Sequence, residues 1–555
     1  MRTNLSSQIT LSRVPSKLYQ TTDALELVRL TRREKIKTSI VENATEGSSL
    51  VAAIIKDRIL KADSPTFTVV LSTGRTLVDV RPMVEPMRSQ ATFLDWRDDG
   101  VIPEETPIDL LVLGLGRVGE VGGQGIRTML RAQEVILVAW GEHKAGAVRD
   151  TVEGEVSDAC PASKLQFHDH AQLICDLNAS QLLTRIEYPW LVTMCDWNDH
   201  LTRRALVWLC EKTGKPILKL TNKDYNDNSL GELVSLYGSA YNCNIKVFND
   251  IQHTITGWPG GKPNADDSNR PERANPYPKD ILIFSPHPDD DVISMGGTFA
   301  RLIKQGHNVH VAYETSGCIA VDDTNLQYFL DFLNGLPAVN SSIALWAHHS
   351  VNSSFQLKNF SHREILDLKA LIRRGEATAA DRFMGLQEDH IHFLNLPFYE
   401  TGTIKKKDLS QADVDIVKKL LLELKPQEMF VAGDLADPHG THKVCLDAVL
   451  AAIDELKDTE VWLKDCRIWM YRGAWMEWSI DLIEMAVPMS PEELRFKRNT
   501  ILKHQSQMES APFMGDDERL FWQRAEDRNH ATAQLYERLG LASYEAIEAF
   551  VQYHV

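Results

Sequence analysis

Two kinds of apolar pattern alternate along the chain. Short uninterrupted runs stand between turn-forming residues. In the first half these are "FTVVLSTG" (67–74), "IDLLVLGLG" (108–116), "EVILVAWG" (134–141), "WLVTMCDW" (190–197) and "PILKL" (216–220). In the second they are "ILIFS" (281–285), "NVHVAYETS" (308–316) and "EMFVAG" (428–433). A strand covered on both faces needs such a run. Between them lie longer stretches with apolar positions at helical spacing, such as "LTRRALVWLCEKTG" (201–214) and "VISMGGTFARLIKQG" (292–306), each closed by glycine, and "KVCLDAVLAAIDELK" (443–457). The alternation predicts an α/β protein of two Rossmann-like domains with mostly parallel sheets.

Periodicity fails between Thr256 and Asp280, where "TGWPGGKPNADDSNRPERANPYPKD" is dominated by Pro, Gly, Asn and Asp. That stretch reads as a linker. The expected organisation is therefore an N-terminal extension over 1–45, a first domain over 46–255, the linker over 256–280 and a second domain over 281–555. Residues 319–372 read as polar helix, an insertion over one end of the second sheet.

Composition narrows the classes. A chain of 555 residues exceeds one core. A formal charge of −17 disfavours non-specific binding to nucleic acid or anionic membrane. The first twenty residues carry no apolar h-region, and no apolar run approaches the roughly 18 residues of a membrane span. Eight scattered cysteines without a CxxC pair read as reduced core residues, and the expected compartment is the cytoplasm.

The chemistry concentrates at two strand exits. In "SPHPDDDV" (285–292), His287, Asp289, Asp290 and Asp291 follow a buried strand and enter a helix. Capping of the helix N-terminus accounts for one aspartate or two; three beside a histidine call for a cation. The loop "DPHGTH" (437–442) adds His439 and His442 after another strand. In an open α/β sheet both loops lie beyond the carboxyl ends of the strands, where ligands bind. Two histidines and one carboxylate meet the requirement of a catalytic zinc ion, three protein ligands and an open position.

These motifs resemble the LmbE/PIG-L family of zinc-dependent N-deacetylases, whose signature is [AP]-H-P-D-D with a downstream H-x-x-H. The resemblance covers residue 281 to near the end and includes "RRGEATAADRFMGL" (373–386) and "FKRNTILKHQSQ" (496–507). It implies that His287, Asp290 and His442 hold Zn2+, or another first-row divalent ion. It makes Asp289 the general base, and His439 the residue that supports the oxyanion and helps protonate the leaving amine. Asp291 stands where the family usually has Glu. Of the two helix arginines, Arg373 and Arg374, the expectation is that Arg374 reaches substrate. Trp475 and Trp478 read as core, and "IKKKD" (404–408) as an exposed loop tip.

The first half is similar to glucosamine-6-phosphate deaminase in pieces. "VVLSTGRTLVDV" (69–80) resembles its phosphate loop, and "GEHKAGAVRDTVEGEVSDACPASKLQFH" (141–168) the region of its phosphate-binding lysine. The resemblance implies sugar-phosphate contacts from Thr73, Gly74, Thr76 and Lys144. The departures are equally specific. Val118 and Glu120 occupy the places of the Asp and His of the expected Asp-Gly-His, and Arg75 replaces a phosphate-loop glycine. Only about 30 residues separate the loop from "IDLLVLG", where the family has a longer stretch with another catalytic Asp. Three functions follow as expectations: a zinc-dependent deacetylase of an N-acetylated amino sugar, a bifunctional deacetylase and deaminase, or a non-catalytic sugar-phosphate sensor. The expected partner is a small amino sugar, with homo-oligomers permitted.

Overall fold

The computed structural model describes residues 5–6, 9–10, 13–62, 67–96, 102–118, 123–334, 357–435, 437, 440–473, 476–508 and 519–555. The described residues form two compact units, Ser6–Asp196 and Trp197–Val555 with Leu5.

The Ser6–Asp196 unit is built on six strands: β1 (Lys37–Val41), β2 (Thr68–Ser72), β3 (Thr92–Trp96), β4 (Leu110–Gly114), β5 (Glu134–Ala139) and β6 (Ala171–Asp176). Their order is β1-β6-β5-β4-β2-β3, and every pairing is parallel. β2, β4 and most of β5 are buried along their length, as their uninterrupted apolar runs require. β1 lies in the stretch read as an extension, so this sheet begins before residue 46.

The Trp197–Val555 unit carries seven strands: β7 (Asp280–Ser285), β8 (Asn308–Tyr313), β9 (Ile391–Phe393), β10 (Glu428–Ala432), β11 (Arg467–Tyr471), β12 (Met485–Met489) and β13 (Ala546–Tyr553). The order is β12-β13-β11-β10-β7-β8-β9. The five from β11 to β9 are parallel, while β13 runs antiparallel to both β11 and β12. One face packs Ile281, Ile283, Val311, Phe430, Trp469 and Phe550 against helix Asp290–Lys304 through Val292 and Phe299.

Two features depart from the pattern reading. Helices Asp199–Thr213 and Ala240–His253, assigned above to the first domain, group with the second unit. Polar cross-links bind them there: Arg204 pairs with buried Asp481 at 2.8 Å, and the Thr254 and Tyr536 hydroxyls meet at 3.0 Å. The Pro/Gly-rich 256–280 stretch belongs to the same unit. Lys279 donates to the carbonyls of Gly260 (2.6 Å) and Arg273 (2.5 Å), and Asp267 accepts from the amide of Ala274 (2.7 Å). Side chains bonding to backbone hold this segment, so apolar periodicity is not needed to order it. "WLVTMCDW" and "PILKL" are not strands; each begins with a 3-10 turn, at Pro189–Leu191 and Ile217–Lys219, next to a proline that supplies no ladder donor.

Candidate metal centre

β7 lies between β8 and β10, so the chain leaves it for one side and returns on the other. Such a switch point opens a crevice at the carboxyl ends of the strands. β10 pairs directly with β7 in the register Glu428↔Ile281 and Phe430↔Ile283. Both strands therefore end together, and the loops that follow, 286–289 and 433–440, leave from adjacent points on one edge.

Three side chains converge there. The Asp290 carboxylate lies 3.1 Å from His287 Nδ1 and 3.1 Å from His442 Nε2, and those two nitrogens are 3.3 Å apart. Ligands about 2.0–2.1 Å from a tetrahedral centre stand about 3.3 Å from one another. The three donors thus have the spacing of one face of a zinc-type tetrahedron, and the set is two imidazoles and a carboxylate. Asp290 and His442 are buried, whereas the His287 side chain is 21% exposed, so the centre is open on that side. Among the described residues this is the one group of His, Cys, Asp or Glu with such convergence.

The three consecutive aspartates have been driven apart in character. Burial pushes the Asp290 carboxyl up, but His442 and His287 outweigh it and hold the group far below the usual range. Burial opposes charge on His442 as well; Asp290, then Asp437, raise it to about 10. Asp289 is raised by burial against the opposing pull of Arg373, whose Nη2 lies 3.0 Å from Asp289 Oδ1. Asp291 is raised by burial to about 7, against hydrogen bonds from Tyr313 and Ser285. The Tyr313 hydroxyl sits 3.1 Å from Asp291 and 2.9 Å from Asp381, whose carboxyl burial also pushes up. A hydroxyl has one proton to give, so one of these acids must itself donate, which a raised pKa permits. Like charges in a row are tolerable because the middle one is paired and its neighbours are biased toward neutrality or held by Arg373.

In the Ser6–Asp196 unit the predicted phosphate-loop residues follow β2. Gly74 has φ 150°, a backbone state that favours glycine. A Cβ on Gly114 would lie 2.8 Å from Thr76 Oγ1, and one on Gly116 would lie 2.8 Å from Lys144 Nζ. Thr76 and Lys144 are therefore both drawn against the bare backbone at the end of β4. Thr73 instead turns its hydroxyl to the Trp96 carbonyl, at 3.2 Å. Glu120 lies outside the described residues.

Residues 282–453 match the PIG-L family, described as GlcNAc-PI de-N-acetylase. Over their whole lengths, this chain and a glucosamine-6-phosphate deaminase-like protein of Bacteroides thetaiotaomicron are 50% identical. The chain belongs to that protein's family. Its second half contains a PIG-L domain, and its first half resembles glucosamine-6-phosphate deaminase. The deaminase of Cellvibrio japonicus is 48% identical over 64 residues, which span 12% of this chain and 24% of that enzyme. Among solved structures, an N,N'-diacetylchitobiose deacetylase of Pyrococcus horikoshii is 19% identical, covering 50% of this chain and 84% of its own, with a TM-score of 0.31.

Within the PIG-L domain, His287, Asp289, Asp290 and His442 occupy one centre. His439 lies outside the described residues, as does Trp475. The arginine at the centre is Arg373 rather than Arg374: successive helix positions differ by about 100°, so Arg374 points outward and lies 4.2 Å over the Phe393 ring. Lys406, in the stretch read as an exposed tip, is turned inward; it donates to Thr441 and lies 5.4 Å over the Tyr399 ring. Trp478 is core, its indole donating to the Met470 carbonyl at 3.0 Å. Three buried polar groups beside the centre were not singled out from sequence: Tyr313, Glu314, which burial raises to about 8, and Asp381. Tyr313 and Glu314 lie at or just past the end of a strand, a signal available in "VHVAYETS". Asp381 falls inside the matched "RRGEATAADRFMGL" helix.

No helix among the described residues is long and apolar enough to cross a membrane.

Proposed function

We propose that the Trp197–Val555 unit is a metal-dependent N-deacetylase acting on an N-acetylated amino sugar, with zinc as its ion. The observation that carries this reading is the triangle of His287, Asp290 and His442 with edges of 3.1–3.3 Å, inside a segment matching the PIG-L family. When bound, a divalent ion supplies Lewis acidity that acidifies water and polarises a carbonyl.

The chain's own residues do the remainder. Asp289 abuts the ligand Asp290 and is the base that takes the proton of the attacking water, a contribution of typically 10²–10⁴-fold. Arg373 opposes the upward pull of burial on that carboxyl and fixes Oδ1, leaving Oδ2 for the water. The leaving nitrogen needs a proton, and His439 on the 437–442 loop is assigned to deliver it and to face the oxyanion. Tyr313 links Asp291 and Asp381 behind the first turn of the helix and helps keep it in place.

For the Ser6–Asp196 unit we propose a phosphate-binding remnant without deaminase turnover. The convergence of Thr76 and Lys144 on Gly114 and Gly116 favours anion binding. The alignment with the Bacteroides protein runs over 660 positions against 555 residues here, so at least 105 positions are gaps in this chain. Gaps of that total length can accommodate the short connection after the phosphate loop and the missing Asp-Gly-His. We place the protein in the cytoplasm, consistent with eight cysteines that form no disulfide.

Acetate release from N-acetylglucosamine and its phosphate, measured on metal-loaded and chelated protein, tests the main proposal. Release by the chelated form at the loaded rate overturns it.

A further inference from the structure

Helix Asp290–Lys304 carries the ligand Asp290 in its first turn, and it is broken. Met295 has φ −136° and ψ 26°, outside helical values, so the segment Asp290–Ser294 and the segment beyond it are two rods meeting at an angle. In an unbroken helix the amides of Gly297 and Thr298 would donate to the carbonyls four residues earlier. Here they donate to Glu548 on β13, Gly297 N to Oε1 at 3.0 Å and Thr298 N to Oε2 at 2.6 Å, with the Thr298 hydroxyl adding a third bond at 2.6 Å. The carboxylate thus caps the second rod as an anion at a helix N-terminus.

Glu548 is wholly buried, and its counter-charge is equally so. Lys497 Nζ lies 2.7 Å from Glu548 Oε1 and 2.9 Å from Asn529 Oδ1, and Asn529 in turn donates to the Ile547 carbonyl at 3.0 Å. The two glycines of the break let its neighbours pack closely. A Cβ on Gly296 would stand 3.1 Å from Lys497 Cγ, and one on Gly297 would stand 2.2 Å from Met489 Sδ. Strand β13, strand β12 and helix Pro491–Ile501 therefore all close on the same point of the helix.

A buried ion pair is weak evidence for stability, because its desolvation cost offsets much of its attraction. Here it does something apolar residues cannot: it receives the amides freed where the helix is interrupted. We propose that Lys497 and Glu548 are positioning residues of the metal centre. By holding the break at Met295, they set the direction of the 290–294 turn and hence the place of the Asp290 carboxylate between His287 and His442. This inference rests on the proposed metal centre.

The test is the affinity of the full-length protein for Co2+, by chelator competition and by the visible spectrum of the bound ion, alongside the thermal midpoint. Outer partners of metal ligands typically contribute 10–100-fold to affinity. Glu548→Gln and Lys497→Met are expected to weaken Co2+ binding by about that factor and to alter the spectrum. Lys497→Arg, which keeps the charge, should restore part of the loss. Leu233→Ala, a core truncation in the helical part of the same unit, should lower the midpoint while leaving affinity and spectrum at wild-type values. Thr298→Val removes a single bond to Glu548 and should shift affinity in the same direction by less, which keeps the question answerable if Glu548→Gln does not fold. Wild-type affinity and spectrum in Glu548→Gln or Thr298→Val, with only the midpoint lowered, overturn the inference. If wild-type protein binds no Co2+, or Asp290→Asn binds it equally well, the metal-centre reading falls with it.

Discussion

Arg373 Nη2 stands 3.0 Å from Asp289 Oδ1, and both side chains are almost completely shielded from solvent. Burial pushes the Asp289 carboxyl up, and the guanidinium works against that. Arg373→Met is therefore expected to move the acid limb of the kcat/KM profile to higher pH and to lower the rate at neutral pH by about 10²-fold, since an unpaired buried base is a protonated one. The pH profile of acetate release checks this; an unmoved acid limb contradicts the pairing.

Metal content separates the roles of the adjacent aspartates. Asp290→Asn should leave the purified protein with little bound metal. Asp289→Asn should retain the metal and lose acetate release by 10²-fold or more. Elemental analysis together with the assay decides between them.

Acid should weaken the fold through neutral imidazoles. Burial lowers His307 and His310 to about 4 and His504 to about 3, against 6.5 for a free group. Each folded value is depressed, so the stability tied to it is complete above pH 6.5 and is lost as pH falls toward 4 and below. His504 contributes most clearly, since neither of its ring nitrogens has a hydrogen-bond partner among the described residues. In chelated protein, His504→Asn should show a smaller fall in thermal midpoint between pH 6.5 and 4.5 than wild type. An identical slope excludes His504 as a contributor.

The first unit should bind inorganic phosphate and release no ammonia from glucosamine-6-phosphate. Lys144→Ala and Thr76→Ala should each weaken phosphate binding, measured by calorimetry, without changing acetate release from an unphosphorylated substrate. Ammonia production above background contradicts the loss of deaminase chemistry.

How far the sequence was legible varied with the kind of signal. Strands buried on both faces announced themselves as apolar runs, and β2, β4, β5, β7, β8 and β10 stand where those runs are. β3, with partly exposed positions, and β13, whose run is interrupted by buried Glu548, escaped that reading. The meeting of His287 with Asp290 and His442 was readable because local motifs sit at strand exits. Which of two consecutive arginines faced inward was not, since that depends on the rotation of a long helix. Nor was the role of Glu548, 251 positions from the amide it receives. The division at residue 196 was hidden for a related reason: long-range polar bonds, not a compositional shift, tie helices 199–253 to the second unit.

The pairing of β10 directly on β7 has an evolutionary corollary. The distance between the two donor-bearing loops is set by the spacing of neighbouring parallel strands, about 4.8 Å, and not by the number of residues threaded between them. Insertions or deletions in the connections of that intervening stretch, outside helices Asp290–Lys304 and His362–Met384, can reshape the rim of the crevice while the donors keep their separation. New substrates can thus be accommodated by loop exchange alone, with the reactive apparatus inherited intact.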